Sequence, residues 1–166
     1  MKKDIRKFIK KMDLNPPATE ESLKAIETKL KISFPAQYRD FILESNGAEG
    51  PIGKNSHLII WPVEEIIQLN EGREEFTPGL VHFGSDGGGE GYAFDKRVKE
   101  MPIVKIPTDS INIDEDAELC GNTFNEFLQH LFNYEYEETD DEITYTEEEM
   151  KAWLQNQNLD GLNNKK

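Results

Sequence analysis

The stretch "FGSDGGGEGYAFD" (residues 83–95) places three consecutive glycines between two carboxylates and then turns aromatic. A phosphate-binding loop would lead into Gly-Lys-Ser/Thr and a helix, whereas this run ends at Glu90 and enters an apolar segment. Asp86 and Glu90 would also repel phosphate. Because Tyr92 and Phe94 alternate with smaller or polar residues, the stretch predicts two strands joined by a tight glycine connection, with both rings in the core.

A metal loop is the other chemistry that this stretch allows. Asp86, Glu90 and Asp95 could present oxygen atoms to a hard cation. Their spacing matches no calcium loop, however, and the acidic run "IDEDAE" (residues 113–118) lacks the central glycine that such a loop needs. The structural interpretation is therefore preferred, and neither a metal nor a cofactor is predicted.

Further strands surround this stretch, and helices lie towards both ends of the chain. The segments "HLIIW" (57–61) and "MPIVKI" (101–106) have strand character, while "ATEESLKAIETKL" (18–30) and "NTFNEFLQHLFNY" (122–134) have helical apolar spacing. This order predicts one α+β domain with a central, mostly antiparallel sheet flanked by helices. The predicted divisions are a basic amphipathic helix (1–14), the α+β domain (15–134), and an acidic loop with a C-terminal helix (135–166).

The bulk composition indicates a water-soluble protein. The 166 residues are 36% hydrophobic and 31% charged, and no apolar run approaches the length of a bilayer span. We expect no signal peptide and no membrane contact. A single cysteine, Cys120, excludes an internal disulfide and favours the cytoplasm; we expect it to be a small buried residue rather than a nucleophile.

The net charge of −14 is unevenly distributed. Residues 1–12 carry six Lys or Arg against Asp4, whereas the sequence between Lys105 and Lys151 holds fifteen Asp or Glu and no Lys or Arg. Such a surface cannot attract a polyanion, so direct binding of nucleic acid is not expected. A basic protein partner is its natural complement, but charge alone favours a merely solvated face.

The candidate partner-binding residues are carboxylates of this acidic stretch, the two acids beside the glycines, and tyrosines that could act as apolar anchors. They are Asp86, Glu90, Asp114, Glu115, Asp116, Glu118, Tyr134, Tyr136, Glu137, Glu138, Asp140 and Asp141.

The order of motifs along the chain resembles the SUKH superfamily, in particular its branch of fungal regulators of cell-wall glucan synthesis. The resemblance spans residues 19–132 and rests on "FPAQYRDFILESNG" (34–47), "IIW" (59–61) followed by "VEEII", the glycine stretch, and "TFNEFLQHL" (123–131). The positions that match the family pattern are Pro35, Tyr38, Phe41, Asn46, Gly47, Trp61, Gly88, Gly89, Glu90, Tyr92 and Asp95. Many relatives have Asp in place of Glu90.

The resemblance implies an α+β fold without catalytic machinery. Bacterial members are commonly immunity proteins that bind and neutralise a toxin, often a nuclease, and fungal members are scaffolds in cell-wall signalling. The preferred hypothesis is therefore an immunity protein with a basic toxin domain as its partner, and the alternative is a scaffold or regulator with an endogenous partner. An enzyme that uses Asp86 and Glu90 is the weakest hypothesis, because His57, His82 and His130 lie apart beside apolar residues. The oligomeric state is not predicted.

Overall fold

A computed structural model describes residues 3–135 and Glu148. The helices are α1 (Lys3–Phe8), α2 (Glu20–Leu30), α3 (Ala36–Ile42), α4 (Ile66–Asn70), α5 (Arg73–Phe76), α6 (Ile113–Asp116) and α7 (Phe124–Phe132), with a 3₁₀ turn at Val63–Glu65. The strands are β1 (Asp13–Leu14), β2 (Ala48–Ile52), β3 (Ser56–Ile60), β4 (Leu80–Ser85), β5 (Glu90–Asp95), β6 (Ile103–Pro107) and β7 (Glu118–Gly121). The predicted acidic loop and C-terminal helix fall outside these residues, apart from Glu135 and Glu148.

Within the described residues, the seven strands form one sheet in which every strand pairs antiparallel with its neighbour in the chain, in the order β1 to β7. The glycine stretch joins β4 to β5, as predicted, with Leu80 opposite Asp95 and Ser85 opposite Gly91. Strand β5 in turn pairs with β6, with Tyr92 opposite Lys105. The predicted α+β fold with an antiparallel sheet flanked by helices is confirmed.

One face of the sheet carries the main hydrophobic core, which is rich in aromatic rings. Tyr38 and Phe41 of α3 are fully buried there against Phe83 of β4, Phe94 of β5 and Phe124 of α7. The rings of Phe83 and Phe94 stack with centroids 4.5 Å apart. Since such ring pairs add stabilisation beyond the area that they bury, this cluster fixes the two helices on the sheet.

The opposite face, here called the reverse face, carries a smaller apolar cluster. Leu80, Ala93, Val104 and Ile106 of the sheet are buried there beneath Ile113 of α6. The side chains of β5 therefore alternate as predicted, with Tyr92 and Phe94 in the main core and Ala93 on the reverse face. Both faces of the central strands are buried, which explains the nearly continuous burial of β4 and β5.

The helix ends follow local capping rules with one correction. Thr19 and Thr123 accept hydrogen bonds from Ser22 N and Glu126 N, as expected for N-caps. An Asn-Gly pair such as Asn46-Gly47 typically closes a helix, but α3 already ends at Ile42. Gly47 instead has φ +94° in the loop before β2, where a Cβ would lie 2.5 Å from the carbonyl oxygen of Ile60.

An asparagine side chain replaces a neighbouring strand at β4. Strands β3 and β4 share only two register pairs, Ile59 with Ser85 and Ile60 with Gly84. Beyond them, Asn70 of α4 donates from Nδ2 to the His82 carbonyl and accepts the His82 N–H at Oδ1, both at 2.8 Å. These two bonds satisfy a buried backbone segment that would otherwise be unpaired, so they anchor α4 to β4.

The N-terminal helix adds apolar side chains to the main core. Ile5, Phe8, Ile9 and Met12 are all buried, as their helical spacing predicted, although α1 itself ends at Phe8. The ring of Phe8 lies 5.3 Å from that of Phe132 in α7. No helix in the described part of the chain has the length and apolar character needed to cross a membrane.

A buried carboxylate joins α2 to α3 and supports a stability prediction. Glu27 is 8% exposed, accepts the Phe34 N–H at 2.8 Å and pairs with the Arg39 guanidinium, which also binds the exposed Glu20. We expect Glu27→Ala to cost about 2–3 kcal/mol of unfolding free energy, because a backbone donor and a guanidinium lose their partner. Glu20→Ala should cost about 0.5 kcal/mol.

Urea denaturation of both variants measures this difference, since each removes one carboxylate from the same arginine. Equal losses in the two variants would contradict the role assigned to the buried carboxylate.

Candidate binding surface

The glycine connection is a self-contained turn in which the first acid binds the backbone. Asp86 Oδ1 accepts the N–H groups of Gly88 and Glu90 at 2.7 and 2.9 Å, and the Asp86 N–H donates to the Glu90 carbonyl at 3.0 Å. Gly87 and Gly89 have φ of +76° and +120°. The carboxylate thus occupies the backbone donors that a phosphate loop would offer to its ligand.

Gly87 and Gly89 need the conformational freedom of glycine, whereas Gly88 at the centre of the run does not. Gly88 has no positive φ. A Cβ at Gly89 would meet nothing within 4 Å, so a substitution there costs backbone strain alone. We expect Gly89→Ala to lower the unfolding free energy by about 1–3 kcal/mol, and Gly88→Ala to change it by less than about 0.5 kcal/mol.

Chemical denaturation of the two alanine variants tests this assignment. If Gly88→Ala proves as costly as Gly89→Ala, the positive φ of Gly89 does not govern the turn.

The three acids considered for a metal loop are not brought together. Glu90 and Asp95 stand at opposite ends of β5, about 17 Å apart at the strand rise, with side chains on opposite faces of the sheet. Asp95 is instead held by Arg97, whose Nε and Nη2 donate to its two oxygens at 2.9 Å and keep the pKa of this carboxyl low. Among the described residues, no cluster of three or more His, Cys, Asp or Glu is arranged to hold a metal.

On the main-core side of the sheet, four candidates gather around the end of α7. Glu118 of β7 binds Lys105 of β6, with 2.8 Å between Oε2 and Nζ, and this bond lowers the pKa of the carboxyl. Burial raises the pKa of the Tyr92 hydroxyl, and the nearby Asp86, Glu90 and Tyr134 raise it further. These contacts place Asp86, Glu90, Glu118 and Tyr134 in one region, here called the helix-side patch.

The remaining described candidates, Asp114, Glu115 and Asp116, lie on the reverse face. All three are exposed on α6, which Ile113 fastens to the smaller apolar cluster. Asp114 lies 3.6 Å from the Arg97 guanidinium, and Asp116 accepts a 2.7 Å hydrogen bond from Ser110. This group, here called the α6 patch, is separated from the helix-side patch by the sheet. Tyr136, Glu137, Glu138, Asp140 and Asp141 fall outside the described residues.

Two side chains with nucleophilic or basic potential, Cys120 and His82, are buried and poorly suited to catalysis, whereas His57 is exposed and lies 3.8 Å from Glu49. Burial raises the pKa of the Cys120 thiol to about 11. Burial, followed by the charge of Arg73, lowers the pKa of His82 to about 4, and its Nε2 lies 3.2 Å from the Thr77 hydroxyl. Neither group is exposed to a substrate, which agrees with their interpretation as structural residues.

The family-pattern residues mostly support the fold. Pro35 precedes α3, Tyr38 and Phe41 are in the main core, and Asn46 Oδ1 accepts the Val63 N–H at 2.8 Å. For Trp61, the sequence favours a position in the core over a role as a binding anchor. The structure leaves it half-buried directly after β3, where its N–H donates to the Phe83 carbonyl at 3.0 Å.

Sequence reasoning missed two exposed apolar residues on the reverse face. Phe76 ends α5 and is 53% exposed, while Ile111 precedes α6 and is 79% exposed. Both line a groove of about 550 Å³. In the sequence, each is a single apolar residue within a polar, turn-rich segment. That pattern does not show whether the side chain is buried or exposed.

Comparison with known proteins agrees with the observed fold. The "Uncharacterized protein YnaB" of Bacillus subtilis (strain 168) is 33% identical to this chain over 116 residues, which cover 69% of this chain and 76% of that protein. The model of the SMI1 / KNR4 family (SUKH-1) matches residues 17–130, from the approach to α2 through most of α7. SUKH proteins are generally non-enzymatic binding domains. The chain therefore belongs to the SMI1 / KNR4 family (SUKH-1).

Proposed function

We propose that this protein is a non-enzymatic binding module that acts as a bacterial immunity protein in the cytoplasm, where it binds and neutralises a basic toxin domain. The observation that carries the proposal is the charge of residues 106–135. This segment has seven Asp or Glu and no Lys or Arg, and the exposed acids include the three of the α6 patch. The resemblance to SUKH immunity proteins supplies the class of partner.

The electrostatic argument favours a nuclease as the toxin. A nuclease must hold its polyanionic substrate in a cationic groove, and an acidic protein surface presents the complementary field to that groove. Neighbouring cations neutralise only part of this field, because Arg97 is shared between Asp95 and Asp114 and Lys105 pairs with Glu118. Complementarity of this kind chiefly accelerates association and fixes orientation.

Two groups with catalytic potential, His82 and Cys120, are closed to a substrate, which favours binding over chemistry at these positions. His82 is 1% exposed and Cys120 is 4% exposed. Of the acids of the helix-side patch, Asp86 is engaged by the turn and Glu118 by Lys105. Inhibition by occlusion of the toxin requires only complementary shape and charge.

Co-expression with the product of the adjacent gene tests the proposal. We expect that product to arrest growth alone, to be harmless with this protein present, and to co-purify with it as a complex that dissociates at high salt. A matched control uses the same toxin with another SUKH protein of similar net charge. If the adjacent product is harmless alone and a cell-wall synthesis protein binds instead, the regulatory function replaces the immunity function.

A further inference from the structure

The groove on the reverse face is lined by apolar side chains and lies beside a cluster of acidic residues. Its walls are the α4–α5 connection on one side and the loop between β6 and α6 on the other. Phe76 and Ile111 belong to opposite walls, and the half-buried Leu69 also lines the groove. Two exposed apolar side chains that line the same groove form a local apolar surface, which favours a binding role.

Both walls are held rigidly by hydrogen bonds. In the loop, the Ser110 hydroxyl donates to Asp116 at 2.7 Å and accepts the Asn112 N–H at 3.2 Å, so Ile111 is fixed between two anchored neighbours. On the other wall, Arg73 Nε donates to the Leu69 carbonyl at 2.8 Å, and the buried Thr77 N–H donates to the Arg73 carbonyl at 2.7 Å. A groove with fixed walls loses little entropy when it is filled.

The charge around the groove specifies the chemistry of its occupant. Residues 66–76 and 108–116, which form the two walls and α6, contain seven Asp or Glu and one Arg. That arginine is folded back on the backbone of α4. The neighbouring cations Lys96 and Arg97 are paired with Glu74 and Asp114, at 3.3 and 3.6 Å. The rim therefore favours a positively charged segment, and the floor favours an apolar tip.

We infer that this groove binds a protein segment in which an aromatic or aliphatic side chain is flanked by Lys or Arg. The apolar side chain inserts between Phe76 and Ile111, and the flanking cations face Glu71 and Asp109 at the rim. The inference rests on the proposed function in that it locates the apolar anchor that a basic partner needs beside the α6 patch. It also places the apolar anchor on the reverse face rather than at Tyr134 of the helix-side patch.

Two synthetic peptides test the groove without the cognate partner. One has Phe-Leu between pairs of lysines, and the other has the same Phe-Leu between pairs of glutamates. Titration into the full-length ¹⁵N-labelled protein should show that the lysine peptide shifts the amide signals of Gly72, Phe76 and Ile111. Ile111→Ser and Phe76→Ser should each weaken binding at least about 5-fold, since each removes one side of the apolar contact.

The control variant is Leu119→Ser, which removes another exposed apolar side chain (56% exposed) on β7 and should leave peptide affinity unchanged. Equal binding of the two peptides, or amide shifts confined to other regions, would overturn the inference. So would self-association of the protein that Ile111→Ser abolishes, because the occupant would then be a second copy. If the groove binds the lysine peptide but the adjacent gene encodes no toxin, the inference about the groove is supported and only the proposed immunity function is contradicted.

Discussion

Replacement of Phe83 by alanine should lower the free energy of unfolding by about 3–5 kcal/mol. Phe83 is fully buried and its ring contacts those of Tyr38, Phe94 and Phe127, with centroids 5.4, 4.5 and 5.7 Å away. The variant loses the transfer free energy of the ring and leaves a cavity between α3, α7 and the sheet. Because these elements support one another, the cavity cannot collapse without displacing a helix.

The matched control is Phe76→Ala, which removes the same ring from a site that is 53% exposed and should cost less than about 1 kcal/mol. Urea denaturation of both variants measures the difference. The urea concentration at the midpoint of unfolding should fall, while the dependence of the unfolding free energy on urea stays unchanged. A loss at Phe83 no larger than the loss at Phe76 would contradict the assignment of the aromatic cluster as the centre of the core.

Acidification between pH 6.5 and pH 4 should lower the unfolding free energy by about 3 kcal/mol through His82 alone. In the unfolded chain, this side chain is protonated with a pKa of about 6.5. In the folded protein, burial lowers its pKa to about 4. A depressed histidine pKa means that the unfolded state binds more protons within this window. The contribution of neutral His82 to stability is therefore complete above pH 6.5 and is lost as the pH falls from 6.5 to 4.

The variant that isolates this effect is His82→Gln, whose amide nitrogen can still reach the Thr77 hydroxyl. We expect its unfolding free energy to decline less steeply than that of the wild type from pH 6.5 to pH 4, by the same amount of about 3 kcal/mol. Stability curves at half-unit pH intervals give the comparison. Parallel curves for the two proteins would show that His82 is not held neutral by the fold.

The sequence predicted the elements whose apolar patterns are long and regular. Helices α2 and α7 and strands β3 to β6 have clear periodicity, and Thr19 marks the start of α2. Strand β2 was missed because "AEGPI" contains Gly and Pro, which are weak strand formers; pairing with β3 imposes its conformation. Strands β1 and β7 and helices α5 and α6 are too short for a periodic signal.

Of the candidate binding surface, the sequence predicted only the negative charge. Composition identified the acidic stretch, but the assignment of Glu118 to one face of the sheet and of Glu115 to the other depends on strand register. The groove joins Phe76 to Ile111 across thirty-five positions of sequence, a juxtaposition that only the folded sheet creates. The bonds of Asn70 to His82 are likewise a tertiary feature without a local pattern.

The most direct test of the central claim is the association rate of this protein with the adjacent gene's toxin, measured across a salt series. The wild type should associate at about 10⁸ M⁻¹s⁻¹ at low salt and more slowly as salt screens the field. Asp109→Lys combined with Glu115→Lys should slow association at least about 10-fold and flatten the salt dependence. Glu49→Lys combined with Glu65→Lys, which reverses two exposed acids elsewhere, should have a much smaller effect. If the two double variants associate with the same rate and salt dependence, the acidic surface does not guide the partner and the proposed binding mode is wrong.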